Sequence, residues 1–268
     1  MGEKITMLGT GSAFVTRCYN TCFLLDADGC RLLVDAGGGN GILAQLQKAD
    51  AKIGSIHHLF LTHAHTDHVI GGVWVARAMV NAVKKDAYEG TLHIYGHQRV
   101  MSVLTEMCRL TFSPKDWRIF EEHTNIDVLT DGSHRTIGSV ELEFFSIHST
   151  KEEQYGFRAT MADGKRLVCL GDEPLNDANR TIAADADWLM TEAFCLHSDA
   201  DHYKPYEKHH STALDAGKVA EMLGARNLII YHTEDDTLPT RRATYTAEAA
   251  QSFKGHIVVP DDMDTIEL

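Results

Sequence analysis

The chain has 268 residues, 44% of them hydrophobic, and sets 25 lysines and arginines against 38 aspartates and glutamates, a formal charge of −13 at pH 7. That length admits one large domain or two small ones with a sizeable core. The acidic balance disfavours broad contact with nucleic acid, where lysine and arginine must neutralise phosphates. No apolar run approaches the ~20 residues that cross a bilayer. The six cysteines (Cys18, Cys22, Cys30, Cys108, Cys169 and Cys195) contain no Cys-x-x-Cys pair, so no separate zinc knuckle is expected.

Met1-Gly2-Glu3-Lys4 leads straight into a strand over residues 4–8. No secretory leader is read there, so a cytoplasmic protein with free thiols is expected. Gly9-Thr10-Gly11-Ser12 follows; a lone Gly-x-Gly is weak evidence for phosphate binding, and a strand-connecting turn is the better reading. Strands over 21–25 and 31–35 meet at Asp28-Gly29, a hairpin signal, and Asp35-Ala36-Gly37 ends the second. Apolar residues at 42, 43, 46 and 49 predict a helix over 42–49. The run 56–61 reads as a buried strand that stops where Thr62-His63-Ala64-His65-Thr66-Asp67-His68 begins, and 69–83 as a long apolar helix. A strand over 92–95, a helix over 98–110 and strands over 127–129 and 140–147 come next, the last ending at His148. A hairpin of 156–161 and 166–170 turns at Asp163-Gly164 and stops at Gly171-Asp172. A helix over 176–184 leads to a strand over 188–190 and then Thr191-Glu192. A polar loop over 197–209 precedes a helix that Ser211 or Thr212 would cap. The strand 228–231 ends at His232, and a helix over 244–253 and a strand over 256–259 close the chain. No low-complexity linker divides it, so one domain of two β-rich layers with helices outside is expected.

Candidate ligands recur at strand ends. His63 and His65 alternate with Ala64, so an extended backbone points them the same way, and Asp67 and His68 follow on the turn. Neutral imidazoles and a carboxylate suit Zn²⁺ or a similar cation. A lone His-x-His would read as a solvated turn; four ligand-type groups between 63 and 68 do not. His148, Asp172 and His232 each read alone as a polar strand cap or turn residue. Together with 63–68 they complete a coordination set, in which a carboxylate such as Asp172 can bridge two cations.

Thr-His-x-His-x-Asp-His at 62–68 resembles the signature of the metallo-β-lactamase superfamily. Gly9-Thr10-Gly11-Ser12, Asp35-Ala36-Gly37, Gly171-Asp172, Thr191-Glu192-Ala193 and His210-Ser211-Thr212-Ala213 make the chain most similar to the ribonuclease Z branch, from Ile5 to about His232. The resemblance implies an α/β fold, a four-layer αββα sandwich over residues 1–268, with two metals at the sheet edge. His63, His65 and His148 would hold the first metal, Asp67, His68 and His232 the second, and Asp172 would bridge; Asp67 also counts as catalytic. It further implies that Glu192 and His210 pass a proton to the leaving oxygen, and it suggests a homodimer. The branch's tRNA-gripping arm is absent: between His148 and Asp172 there is room only for the Asp163-Gly164 hairpin. His232 is followed by Thr233-Glu234-Asp235-Asp236, whose carboxylates are expected to repel a polynucleotide.

The sequence thus predicts a binuclear, metal-dependent hydrolase, with Zn²⁺ ahead of Mn²⁺ or Fe²⁺. Its substrate would be a small or short phosphodiester, attacked by a hydroxide held between the ions. The alternatives are tRNA 3′-end cleavage, hydrolysis of a lactone or other ester, and metal-dependent binding without catalysis.

Overall fold

A computed structural model describes residues 2–268. They form two compact units. The first comprises the chain up to Gly9, Tyr19–Thr130 and Asp262–Leu268; the second comprises Thr10–Cys18 and Asp131–Asp261.

The first unit holds β1 (Lys4–Gly9), β2 (Cys22–Ala27), β3 (Cys30–Val34), β4 (His58–Phe60), β5 (Leu92–His97), β6 (Thr124–Leu129) and the last strand of the chain, β14 (Thr265–Glu267). They make one seven-stranded sheet in the order β14-β1-β2-β3-β4-β5-β6. The β1, β2, β3 and β14 pairings are antiparallel, and β3 to β6 run parallel. The β2–β3 turn places Asp28 at φ 47° and Gly29 at φ 81°, the doubly left-handed turn that suits the twist of a tight hairpin. Helices α1 (Gly41–Lys48), α2 (Thr66–Val83), α3 (Gln98–Thr111) and α4 (Pro114–His123) belong to this unit. Leu24, Leu33, Leu59 and Ile94 of the sheet join Val69, Met79 and Leu104 of the helices in one apolar cluster. The alternate residues Phe23, Leu25, Leu32, Val34 and Phe60 are buried as well, which is why these strands read as continuous apolar runs.

The second unit holds β7 (Ser133–Ile137), β8 (Val140–Ser146), β9 (Tyr155–Thr160), β10 (Arg166–Cys169), β11 (Trp188–Glu192), β12 (Asn227–Tyr231) and β13 (His256–Val258). Its sheet runs β13-β12-β11-β10-β9-β8-β7, parallel from β10 to β13 and antiparallel from β7 to β10. The short helices α5 (Arg180–Ala183) and α6 (Ala200–Tyr203) precede α7 (Ala213–Met222) and α8 (Arg241–Ala249). α7 and α8 approach closely at Gly217, where a Cβ would stand 2.4 Å from the Ala249 carbonyl oxygen.

Each sheet therefore contains a parallel run. The carboxyl ends of such strands are where open α/β sheets gather ligands, and the residues singled out by sequence stand there. Asp35 follows β3, His63 to His68 follow β4, Asp172 follows β10, Glu192 ends β11 and His232 follows β12.

Four of the labelled elements escape the sequence reading: α4, α6, β7 and β14. α4 had a local signal, since Ser113 Oγ accepts from the Asp116 amide at 3.2 Å and Pro114 opens the helix. β7 and β14 are edge strands with little apolar alternation. The predicted helix over 176–184 is a 3₁₀ turn, Asp177–Asn179, followed by the single turn of α5. The polar loop over 197–209 contains α6. Among the described residues, no helix is long and apolar enough to cross a membrane.

Candidate metal and proton-relay residues

In the first unit Asp35 organises the histidine turn. Its backbone is left-handed at φ 55° and its side chain is buried. Oδ1 accepts from the Thr62 amide at 2.8 Å, and Oδ2 accepts from Thr62 Oγ1 and His68 Nδ1, both at 2.7 Å. Because the Thr62 hydroxyl donates to Asp35, it accepts from His63 Nδ1, 2.9 Å away. That fixes the tautomer and leaves a lone pair on His63 Nε2, which lies 2.8 Å from His65 Nδ1. The same logic turns His68 Nε2 toward Asp67 Oδ2, at 3.3 Å. Carboxylate or hydroxyl partners on the remote nitrogens are how proteins orient metal-binding imidazoles.

α2 begins inside this cluster. Asp67 lies in its first turn, where a carboxylate is favoured by the helix dipole. The helix start is pinned to the Asp35 turn by Ala36 N→His68 O (3.1 Å) and Gly71 N→Gly37 O (2.8 Å). A Cβ on Gly71 would lie 1.8 Å from the Ala36 carbonyl oxygen, so no other residue fits this contact. Burial works against a charged His68, but Asp67 and Asp35 outweigh it and hold its pKa well above the ordinary value. A buried cluster that draws positive charge this strongly fits a divalent cation.

In the second unit Asp172 follows Gly171, which is left-handed at φ 82°, and His232 is itself left-handed at φ 61°. Both side chains are buried, with Asp172 Oδ2 3.7 Å from His232 Nε2. Tyr231 Oη donates to the Gly171 carbonyl at 2.5 Å, tying the ends of β12 and β10 together across β11. Glu192 is fully buried. Its Oε1 accepts from the Ser211 amide at 2.6 Å, and Ser211 Oγ returns a hydrogen bond to the Glu192 carbonyl at 3.0 Å. Its Oε2 has no hydrogen-bond partner and stands 3.6 Å from His210 Nδ1, an ion contact rather than a hydrogen bond. The His210 ring stacks on Phe194, with centroids 5.2 Å apart, and lies 5.5 Å from the His232 ring. Burial opposes protonation of His210, but Glu192 and Asp172 overcome it and raise its pKa. His148 stands apart: it is left-handed at φ 57° and exposed, whereas His65 is half-buried and the other sequence-predicted ligands are buried.

The acidic run after His232, expected from the sequence to repel a polynucleotide, also has a structural part: Glu234 is buried, and Asp235 and Asp236 stay at the surface. Glu234 is 5% exposed and accepts from Asp236 N (2.5 Å), Thr237 N (3.0 Å), Tyr245 Oη (2.9 Å) and Thr237 Oγ1. Asp235 Oδ2 accepts from the Thr16 and Arg17 amides, both at 2.7 Å, and Asp236 Oδ2 from Tyr203 Oη at 2.7 Å. These carboxylates hold backbone in place. Arg241, with no exposed surface, adds to this: its guanidinium donates to Thr233 Oγ1 (2.9 Å), Pro260 O (2.9 Å) and Asp261 Oδ1 (2.8 Å). Asp35 and Thr62 belong to the motifs read from the sequence, without a role assigned to them there, but Arg241 leaves no signal, because Arg241-Arg242 near a helix start reads as a solvated pair.

Among curated relatives, ribonuclease Z of Halorubrum lacusprofundi is 26% identical over 320 aligned residues, covering 100% of this chain and 98% of that one. The solved metallo-β-lactamase fold protein YhfI of Bacillus subtilis superposes with a TM-score of 0.80 at 22% identity, covering 100% of both chains. Human tRNase Z, short form, superposes at 0.76 with 20% identity, covering 98% of each chain. The α/β sandwich is thus that of the metallo-β-lactamase superfamily, in its ribonuclease Z-like branch, whose hydrolases depend on divalent metal ions. The family model described as anti-Pycsar protein Apyc1 matches residues 3–248, and this metal-dependent hydrolase belongs to that family.

Proposed function

We propose that the protein is a binuclear phosphodiesterase acting as one domain on a small or short phosphodiester. The observation that carries this reading is the Glu192–His210 pair. It is a partly buried imidazole held toward its cationic form by a fully buried carboxylate, 3.6 Å away, that is otherwise committed to Ser211. Such a group gives a proton to a departing alkoxide or aryloxide, which a phosphodiester needs more than a thioester does. The donors for one ion are His63, His65 and His148, those for the other Asp67, His68 and His232, and Asp172 is shared. His and Asp ligands suit Zn²⁺ first and serve Mn²⁺ or Fe²⁺ as well. When bound, such a pair supplies Lewis-acid stabilisation of the phosphoryl oxygens and a water acidic enough to attack phosphorus. Asp35 and Thr62 keep the imidazoles in the tautomers that present lone pairs, and Glu192 holds the His210 ring in its donating orientation.

The test is hydrolysis of bis(p-nitrophenyl) phosphate beside a lactone and a thioester, by metal-loaded and metal-free protein. Faster turnover of the lactone or thioester would overturn the assignment. A second reading, tRNA 3′-end cleavage, is favoured by relatives named ribonuclease Z that align with the whole chain. Against it, only the β9–β10 hairpin stands where the branch carries its arm. Efficient cleavage of a precursor tRNA at the discriminator base would reverse the ranking.

A further inference from the structure

The segment Thr10–Cys18 belongs to the second unit although it comes early in the chain, and it is built onto the residues that follow His232. Thr233 N donates to Thr10 O at 3.1 Å and Ser12 N to Thr233 O at 2.9 Å. Asp235 Oδ2 takes the amides of Thr16 and Arg17, and Arg17 Nη1 donates to Asp236 O at 3.3 Å. The loop is folded tightly on itself: a Cβ on Gly11 would meet Val15 Cγ2 at 2.5 Å and Cys18 Sγ at 2.6 Å. Val15 is thus turned inward and Phe14 outward. Phe14 is 97% exposed, against 69% for Leu110, the next large apolar side chain. Leaving such a ring in water forfeits the gain of burying it, and a loop this firmly held does not expose it for want of order.

We propose that Phe14 is a specificity-determining residue whose ring stacks on a planar aromatic substituent of the substrate bound beside His232. This rests on the phosphodiesterase reading. The feature has the size of one ring, since Ala13, Thr16 and Arg17 around it are exposed and small or polar. Protein interfaces need a contiguous patch of several hundred Å² or more, which this loop tip does not offer. An exposed ring on a loop hydrogen-bonded to the residues after His232 matches a phosphodiester that carries an aromatic group.

The test is calorimetric binding of phenylphosphonate and methylphosphonate to the metal-loaded protein, with sedimentation and the kinetics of bis(p-nitrophenyl) phosphate alongside. Wild type should favour the phenyl compound. Phe14→Ala should cut that preference by roughly 2- to 12-fold, the range of aromatic pair energies, and raise KM with kcat unchanged. Phe14→Trp should restore both, and the melting temperature should not move. A preference unchanged in Phe14→Ala overturns the proposal, and if self-association falls in the same variant the ring belongs to a contact between copies. If wild type hydrolyses no phosphodiester while the phosphonate preference still depends on Phe14, the phosphodiesterase reading falls and the aromatic contact stands.

Discussion

The two units hold their candidate ligands in opposite ways. In the first, four donors arrive on one short turn, His63 to His68, and a single buried carboxylate, Asp35, fixes it through Thr62 and His68. In the second, the candidate ligands Asp172 and His232 and the relay residue Glu192 stand at the ends of three neighbouring parallel strands, and two of these ends have left-handed backbone, at Gly171 and His232. A contiguous motif concentrates its information, so one residue such as Asp35 can hold most of it. A dispersed set depends on sheet register and on many weaker ties, among them Tyr231 to Gly171, Glu192 to Ser211 and Arg241 to Thr233. The two arrangements should therefore fail differently when cut.

The largest effect is expected where one side chain serves both ions. Asp172→Ala should remove more activity than any other single change and lower the bound metal below two ions per chain, read by elemental analysis of protein purified without chelator. Wild type that never holds more than one ion, even after reconstitution, would end the binuclear reading. His210→Ala should keep full metal content and lose ~10²–10⁴-fold in kcat. That loss should shrink across a series of phosphodiesters as the leaving group becomes less basic. Parallel plots of log kcat against leaving-group pKa for wild type and variant would remove His210 from proton transfer. Asp35→Asn tests the first unit's dependence on one residue. It should cost about 10–100-fold in metal affinity, as removal of an orienting partner does elsewhere, whereas Asp236→Ala should leave metal affinity unchanged. Equal effects of the two would mean that Asp35 does not orient the histidines.

The asymmetry also explains what the sequence made legible. The turn 62–68 is visible because residue type, spacing and position at a strand end coincide in seven residues. His148, Asp172 and His232 each look alone like an ordinary strand cap; only beside 63–68 do they read as ligands, and only the family resemblance divides them between two ions. The left-handed backbone at His148, Gly171 and His232, which sets these turns apart from ordinary caps, cannot be read from side-chain chemistry. Asp35 was quoted as part of a motif without a role, because its work lies in a hydrogen bond to a residue 27 positions away. The structural part of the acidic run after His232 is hidden for the converse reason. Charge is visible in sequence, but the donors that these carboxylates bind, Thr16 with Arg17, Tyr203 and Tyr245, come from three distant places. Of the elements, α4 was missed despite a sound cap, and β7 and β14 because edge strands carry little alternation.

The smallest effects compare two helix caps, one in each unit. Ser113 caps α4 through the Asp116 amide, at 3.2 Å, and none of the candidate site residues lies on that helix. Thr212 caps α7 in a reciprocal box: its Oγ1 accepts from Asp215 N at 3.3 Å, and Asp215 Oδ2 accepts from Thr212 N at 3.4 Å. Thr212 directly follows His210-Ser211, and the Ser211 amide is the donor that fixes Glu192 Oε1. Removing either cap should cost about 1 kcal/mol of stability, measured as a shift in the denaturant midpoint at unchanged slope. If the second unit's donors depend on dispersed ties, the two variants should part company in kinetics. Ser113→Ala should turn over substrate like wild type per folded molecule. Thr212→Ala should lose part of kcat, because the segment that sets His210 against Glu192 loses its anchor to α7. Thr212→Ser, which keeps the hydroxyl, should recover both stability and rate. Equal kcat for the two alanine variants at equal loss of stability would show that the relay is held by the Glu192–Ser211 hydrogen bonds alone. The second unit's site would then be as self-contained as the first.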